Sequence, residues 1–151
     1  DLIATADVDT ALARCQYPDF ETPVEMRQLI EASFAHATLT ECVAALEKSA
    51  AAGSKHANDI LTVLATRSPT SVAVTFRQIA DGRALDLDDC MRMEYRIASR
   101  MLEAHDFYEG VRAVLIDKDG APAWKPDSIE DVKPEMVSAY FANLGERELS
   151  F

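Results

Sequence analysis

The sequence of this 151-residue chain contains no run of 18 apolar residues, so it predicts no membrane-spanning helix. Glycine and proline are scarce, at five and six residues, which favours long helices over a turn-rich sheet protein. Basic residues are also few: 15 lysines and arginines face 26 acidic residues, for a formal net charge of −11. Such a charge repels phosphate backbones and anionic membranes, so we expect neither nucleic acid nor a membrane as a partner.

Cysteine occurs only at Cys15, Cys42 and Cys90, an odd number without any CxxC spacing. This usage favours reduced thiols over a disulfide framework or a redox pair. The pattern indicates a reducing compartment. We take this to be the cytoplasm, or the mitochondrial matrix if the source is eukaryotic.

The common catalytic and metal-binding motifs are absent from the sequence. There is no GxSxG, no GxGxxG and no HExxH, and His36, His56 and His105 are widely separated. Acidic clusters occur where helices are predicted to begin, and there the helix dipole accounts for them. We therefore expect no catalytic residue, no metal site and no cofactor of its own in this chain.

What the sequence does contain is helical periodicity with clear start signals. These signals stand at five places: Thr22-Pro23, Thr38 with Glu41, Ser68-Pro69, Asp86 with Asp89, and Pro134. β-branched residues in 72–76 leave a strand as the alternative for that segment, although its Ser-Pro start favours helix. We predict an all-α fold, an irregular bundle of seven or eight helical segments. Residues 22–151 form its helical domain, and residues 1–21 are the tail of an upstream core or a short helix.

The helix predicted after Asp86 has one charged side and one mainly apolar side on a helical projection. Glu94 falls in the middle of the apolar side. Because an isolated buried charge is very costly, we predict that Glu94 forms a buried structural pair with Arg77 or Arg112. The alternative, a tuned acid or base, lacks a second carboxylate or histidine at suitable spacing.

The next predicted helix begins with Asp106-Phe107-Tyr108-Glu109, a capping-box pattern with Asp106 as the cap and Glu109 reaching back to it. Gly110 follows, at a cost of about 1 kcal/mol relative to alanine inside a helix. We expect that the close approach of another backbone compensates for this cost.

Two sets of residues suggest a bound anion. Three arginines lie at four-residue spacing on the charged side of the long helix: Arg92, Arg96 and Arg100. They are interpreted as a solvated face, with a phosphate-binding surface as the alternative. Lys118 and Trp124 could together hold an adenine and its phosphates. Otherwise Trp124, which lies between two prolines, only pins an extended segment to the core.

Residues 106–126 read DFYEGVRAVLIDKDGAPAWKP. They resemble the C-terminal motif of the enoyl-CoA hydratase/isomerase (crotonase) superfamily, roughly D-F-x-E-G-x-x-A-F-x-x-K-R-x-P-x-F. The departures are Asp119 after Lys118, one residue added before Pro122, and Trp124 in place of Phe. They are similar to the 3-hydroxyisobutyryl-CoA hydrolase branch, which carries E-G-V-R-A-x-L-I-D-K-D-x-x-P-x-W-x-P. Segments 68–71, 74–78 and 93–96 also match that branch, and the resemblance runs from about Glu25 to Val132.

The resemblance implies that the chain is the C-terminal helical part of a longer enzyme, without its β-containing crotonase core. That core would supply the oxyanion-hole amides and the catalytic carboxylates, so no catalytic residue is assigned here. The implied reaction is hydrolysis of a 3-hydroxyacyl-CoA thioester, typically in valine breakdown, with coenzyme A as part of the acyl-CoA substrate. The helices would cover the acyl pocket, and Lys118, Trp124 and Phe107 are the candidate CoA-binding residues.

Two other functions stay open at this point. The same helices could belong to an enoyl-CoA hydratase or isomerase, or they could form an independent helical interaction module. Helices without their core should expose a large hydrophobic patch, so we also predict a homo-oligomer that covers it. A cooperatively folded monomer would favour the interaction module instead.

Overall fold

The computed structural model of the chain describes residues 22–151, and the tail predicted for residues 1–21 lies outside them. Within residues 22–151 the structure is helical and contains no strand, so the all-α prediction is confirmed. The α-helices in this part are, in order, α1 (Val24–Phe34), α2 (Leu39–Ala51), α3 (Lys55–Ala65), α4 (Pro69–Gly82), α5 (Leu87–Met101), α6 (His105–Val111) and α7 (Pro134–Phe141). A π-helical turn, Arg112–Ile116, extends α6, and a 3-10 turn, Gly145–Arg147, follows α7.

Local side-chain caps explain where α2, α3, α4 and α5 begin. At α2, the Thr38 amide donates to Glu41 at 3.0 Å and the Glu41 amide donates to the Thr38 hydroxyl at 3.3 Å, which completes the predicted capping box. At α5, Asp86 accepts from the Asp89 amide at 2.9 Å. The first helix differs, because it follows Pro23 without any side-chain cap.

α4 settles the choice between helix and strand for residues 72–76. Ser68 caps it by accepting from the Ser71 amide at 3.1 Å, and Pro69 occupies its first turn. The helix then runs without interruption to Gly82. The helical prediction is therefore confirmed, and the β-branched side chains are used for packing on two sides of α4.

The first helical group consists of α1, α2 and α3, which pack on one another. Cys42 and Leu46 of α2 and Ala57 of α3 are fully buried at 0% exposure. Of these, Leu46 is the large apolar side chain, and its burial contributes about 1.5–3 kcal/mol. Burial also raises the pKa of the Cys42 thiol, which therefore stays protonated near neutral pH.

The second helical group joins α4, α5 and α7 around Val74, Met93 and Ile97. Further apolar side chains pack against this core while remaining partly exposed: Met101, Val137, Tyr140 and Phe141. The buried side of α5 therefore centres on Met93 and Ile97, whereas the projection predicts a buried side centred on Glu94.

The predicted buried pair of Glu94 with Arg77 or Arg112 is wrong. Glu94 is exposed, and its carboxylate accepts a hydrogen bond from the side-chain amide of Gln78. Arg77 and Arg112 pair with other carboxylates. The physical reason is that only part of the projected face packs on other helices: Ile97 and Met101 reach the core, whereas three of its apolar residues are largely exposed. Their exposures are 75% for Leu87, 45% for Met91 and 53% for Leu102.

Candidate functional site

The candidate site runs from α6 through its π-helical turn into residues 121–126, which we call the extended segment. Here the predicted capping box does not form. The helix starts at His105, with Ala104 at the cap position and no side-chain cap. The carboxylates of Asp106 and Glu109 instead accept hydrogen bonds from backbone amides of the extended segment.

Asp106 is a buried tether, with its side chain 8% exposed. It accepts from the Ser68 hydroxyl at the start of α4 and from the Lys125 amide at 3.0 Å. Nδ1 of His105 lies 3.0 Å from the same carboxylate. Burial, and then the negative charge of Asp106, raise the pKa of the Tyr140 phenol. A single carboxylate thus joins α4, α6 and the extended segment.

Glu109 forms the second tether. Its carboxylate accepts from Nε and Nη2 of Arg112 at 2.9 and 2.8 Å, a bidentate pair, and from the Ala123 amide at 2.7 Å. Hydrogen bonds from Arg112, followed by the Ala123 amide, lower the pKa of Glu109 from 4.5 to about 2. Glu109 is therefore ionised throughout the physiological pH range.

Arg112 uses all five of its N–H donors within the protein. Besides the pair with Glu109, Nη1 donates to Asp117 and to Asp119 at 2.7 Å each, and Nη2 donates to the Ala121 carbonyl at 3.3 Å. These carboxylates raise the pKa of Arg112, while the Ala121 amide and then Arg112 lower that of Asp119. Arg112 therefore closes a loop that runs from Glu109 to Ala121, and it has no donor left for a ligand.

Trp124 connects the extended segment to the end of α3. Its Nε1 donates to the Thr66 carbonyl at 3.3 Å. Its ring lies against Gly110, where an added Cβ would be 3.3 Å from the ring. The close approach predicted at Gly110 is therefore made by an indole ring rather than by another backbone. These contacts favour the interpretation that Trp124 pins the segment to the helices.

Phe107 and Lys118 are both exposed, but their recorded contacts do not bring them to Trp124. Phe107 is 42% exposed and packs edge-on against Tyr108, with ring centroids 5.4 Å apart. Lys118 has a positive φ of 56° and has no hydrogen-bond or ion-pair partner within residues 22–151. The assignment of these three residues to coenzyme A stays a prediction.

Sequence reasoning missed an apolar cleft of ≈ 380 Å³ between α1, α2, α3 and α4. The side chains that line it are mostly apolar, among them Phe34, Val43, Leu64, Val72, Phe76 and Ile79, and its one charged lining residue is Arg67. A volume of this order suits a small organic group. The signal was present in α4, whose apolar residues at 72, 74 and 76 cannot all face the same side of a helix.

Residues 22–151 show neither of two features that would assign a function by themselves. No helix in this part is both long and apolar enough to cross a membrane. No group of histidine, cysteine and acidic side chains in it is arranged to hold a metal ion.

Residues 2–141 match the enoyl-CoA hydratase/isomerase family. The mitochondrial 3-hydroxyisobutyryl-CoA hydrolase of Xenopus laevis is 47% identical over 97 residues, which is 64% of this chain and 25% of that protein. The same enzyme of Danio rerio is 42% identical over 125 residues, covering 83% and 32%. That of Homo sapiens is 39% identical over 122 residues, covering 81% and 31%. The chain thus spans about a quarter to a third of the length of these relatives.

Two solved structures are similar over almost the whole chain. A carnitinyl-CoA dehydratase from Mycobacterium thermoresistibile superimposes with a TM-score of 0.80 at 34% identity, covering 99% of this chain and 42% of that one. An enoyl-CoA hydratase from Rhodobacter sphaeroides gives 0.76 at 33% identity, covering 97% and 44%. Both sequence and structure therefore relate the chain to enzymes that act on CoA thioesters.

Proposed function

The chain belongs to the enoyl-CoA hydratase/isomerase family, and from this premise we propose that it is the C-terminal helical part of a 3-hydroxyacyl-CoA thioester hydrolase. The observation that carries the proposal is the 39–47% identity to mitochondrial 3-hydroxyisobutyryl-CoA hydrolases. The dehydratase and the hydratase of known structure are 34% and 33% identical. The substrate is then 3-hydroxyisobutyryl-CoA or a close analogue, as in valine breakdown. The compartment is the cytoplasm, or the mitochondrial matrix in a eukaryote.

The part that this chain plays is to cover the acyl-CoA pocket while other residues of the protein perform the chemistry. The polar groups of the candidate site support this division. A general acid or base works best with a pKa near the operating pH. Glu109, with a pKa of about 2, does not meet that requirement, and Arg112 has no free donor.

Exposed apolar side chains around the π-helical turn also support a covering role. Val114, Leu115 and Ile116 are consecutive residues with exposures of 64%, 65% and 70%. Phe107 precedes them on α6, and Lys118 follows them with no partner for its amine among residues 22–151. Phe107, Lys118 and Trp124 are the residues that we propose to contact coenzyme A, with Trp124 acting through its position beside Gly110.

Activity of the full-length protein that contains this chain tests the proposal. We expect 3-hydroxyisobutyryl-CoA to release free coenzyme A, measured with a thiol reagent, and crotonyl-CoA to keep its enoyl absorbance. The isolated chain should release none. Thiol release by the isolated chain would overturn the covering role.

The second candidate is an enoyl-CoA hydratase or isomerase, which the two solved relatives favour. Loss of enoyl absorbance without thiol release would establish it in place of the hydrolase. Neither outcome is expected of an independent helical module, which would also be monomeric. We propose instead that the chain expressed alone self-associates through its exposed apolar residues. Sedimentation equilibrium giving a stable monomer at high concentration would contradict this.

A further inference from the structure

The residues after α7 return along α5 and cover part of its arginine row, Arg92, Arg96 and Arg100. We call residues 143–151 the C-terminal strap. Nε of Arg96 donates to Glu148 of the strap at 2.8 Å, and the two side chains are 26% and 17% exposed. The guanidinium of Arg92 lies 5.2 Å from the centroid of the Phe151 ring. A carboxylate and an aromatic ring from the same chain thus occupy two members of the row.

Beside the strap, α4, α5 and α7 enclose an open cleft of ≈ 650 Å³. Three guanidiniums line it, each held by one carboxylate: Arg77 by Asp81 at 3.1 Å, Arg92 by Asp89 at 2.8 Å, and Arg96 by Glu148 at 2.8 Å. The chain has a net charge of −11, but this surface carries as many basic side chains as acidic ones. Without the strap's carboxylate the basic groups would be in excess.

The guanidinium groups have defined orientations, but some of their N–H donors have no acceptor within residues 22–151. Arg77 stacks on the Phe141 ring at 4.3 Å and donates to the Ser138 hydroxyl at 3.0 Å, which sets its orientation. Within residues 22–151, both Nη groups of Arg96 lack an acceptor, since its only hydrogen bond is made by Nε. Nη1 of Arg100, the next member of the row, is buried and has no partner either. The buried Nη1 of Arg100 costs free energy unless an acceptor meets it.

We propose that this cleft binds a small phosphate-type oxyanion, and that Glu148 of the C-terminal strap competes with the ligand for Arg96. Planar guanidiniums with paired donors match phosphate oxygens, and their fixed orientation means that little order is lost on binding. Glu148 of the strap occupies the Nε donor of Arg96, and with Glu148 displaced three guanidiniums face two carboxylates. The proposal does not depend on the reaction assigned above.

Glu148→Gln tests this competition, with Glu146→Gln as its matched control. Both changes remove one negative charge from the strap, but Glu146 makes no described hydrogen bond or ion pair with α5. Binding of inorganic pyrophosphate to each variant of the full-length protein is measured by titration calorimetry. We expect Glu148→Gln to bind about two- to fivefold more tightly than wild type, the change expected for removing one partly exposed competing ion pair. Glu146→Gln should match wild type.

Arginine variants locate the site. In the Glu148→Gln background, Arg96→Gln should abolish pyrophosphate binding. Arg147→Gln removes an exposed arginine whose ion pair within residues 22–151 is with Glu103, and it should leave binding intact. Adenosine diphosphate in a parallel titration separates a nucleotide ligand, which would bind more tightly, from a free phosphate. Equal effects of the two glutamate variants, or no binding by a correctly folded Glu148→Gln protein, would overturn the proposal. Circular dichroism checks folding.

Discussion

Replacing Asp106 by alanine should destabilise the helical domain more than any other single carboxylate loss. The change removes the buried acceptor that holds Ser68 and the Lys125 amide. A hydrogen bond to a charged group contributes about 1.5–3 kcal/mol, and a buried donor left without a partner costs about as much. Ser68 is 6% exposed, so water does not readily replace the carboxylate.

The expected loss follows from these two donors. Taking the lower half of the range for each gives about 3–4 kcal/mol. For a chain of this length that corresponds to a fall in Tm of roughly 6–16 °C. The extended segment should loosen first, because Lys125 belongs to it.

Urea denaturation of Asp106→Ala measures this loss with two probes. Trp124 is the one tryptophan of the chain, so its fluorescence reports on the extended segment, while circular dichroism reports on the helices. Asp117→Ala is the control: Asp117 is also a hydrogen-bonded carboxylate, but it is 51% exposed and pairs with Arg112, and such exposed ion pairs contribute only about 0–1 kcal/mol. Equal losses for the two variants would refute the idea that Asp106 is a buried tether.

Three further predictions concern residues of the same region and of α5. Gly110→Ala should raise the free energy of unfolding by less than the ~1 kcal/mol expected for replacing glycine by alanine inside a helix. It should also shift the fluorescence of Trp124, because the new Cβ would lie 3.3 Å from the indole ring. Glu109→Gln should flatten the loss of stability in acid: the contribution of Glu109 is complete above pH 4.5 and lost as the pH falls towards its pKa of about 2. Glu94→Ala should change the free energy of unfolding by no more than about 0.5 kcal/mol, because the side chain is exposed.

Each of these has a direct check. Gly82→Ala, where the nearest atom is Met93 Cε at 3.5 Å, should leave the tryptophan spectrum unchanged. Wild type and Glu109→Gln should be unfolded thermally between pH 2 and 6, and parallel curves would contradict the assigned cause. A loss of several kcal/mol at Glu94, measured in urea, would show that this carboxylate is buried after all.

Helix positions were predictable from the sequence because the signals that set them are local. Thr38 with Glu41 and Asp86 with Asp89 are separated by three residues, and the bonds that they form depend on little else. The same logic failed at Asp106 and Glu109. Their spacing imitates a capping box, but partners from α4 and the extended segment bind these carboxylates instead.

The partners of α5 could not be derived from its sequence. Its projection shows which residues share a side but not which side meets another helix, and the buried side centres on Met93 rather than Glu94. The sequence predicted that the arginine row is solvated. In the structure, the C-terminal strap contacts Arg92 and Arg96, and the path of the strap could not be predicted from the sequence. For the CoA contacts, the pairing of a cation with an aromatic ring suggested Lys118 and Trp124, and the family resemblance added Phe107.

The loop that Arg112 closes has a consequence for Lys118. Because Asp117 and Asp119 both turn inward to the guanidinium, the backbone of the residue between them is held at a φ of 56° before any ligand arrives. A molecule that binds the Lys118 amine would find the backbone at this residue already ordered. The usual entropic cost of ordering a surface loop on binding would therefore be largely absent. The acidic residues around Arg112 would then serve the neighbouring lysine, although none of them need touch what it binds.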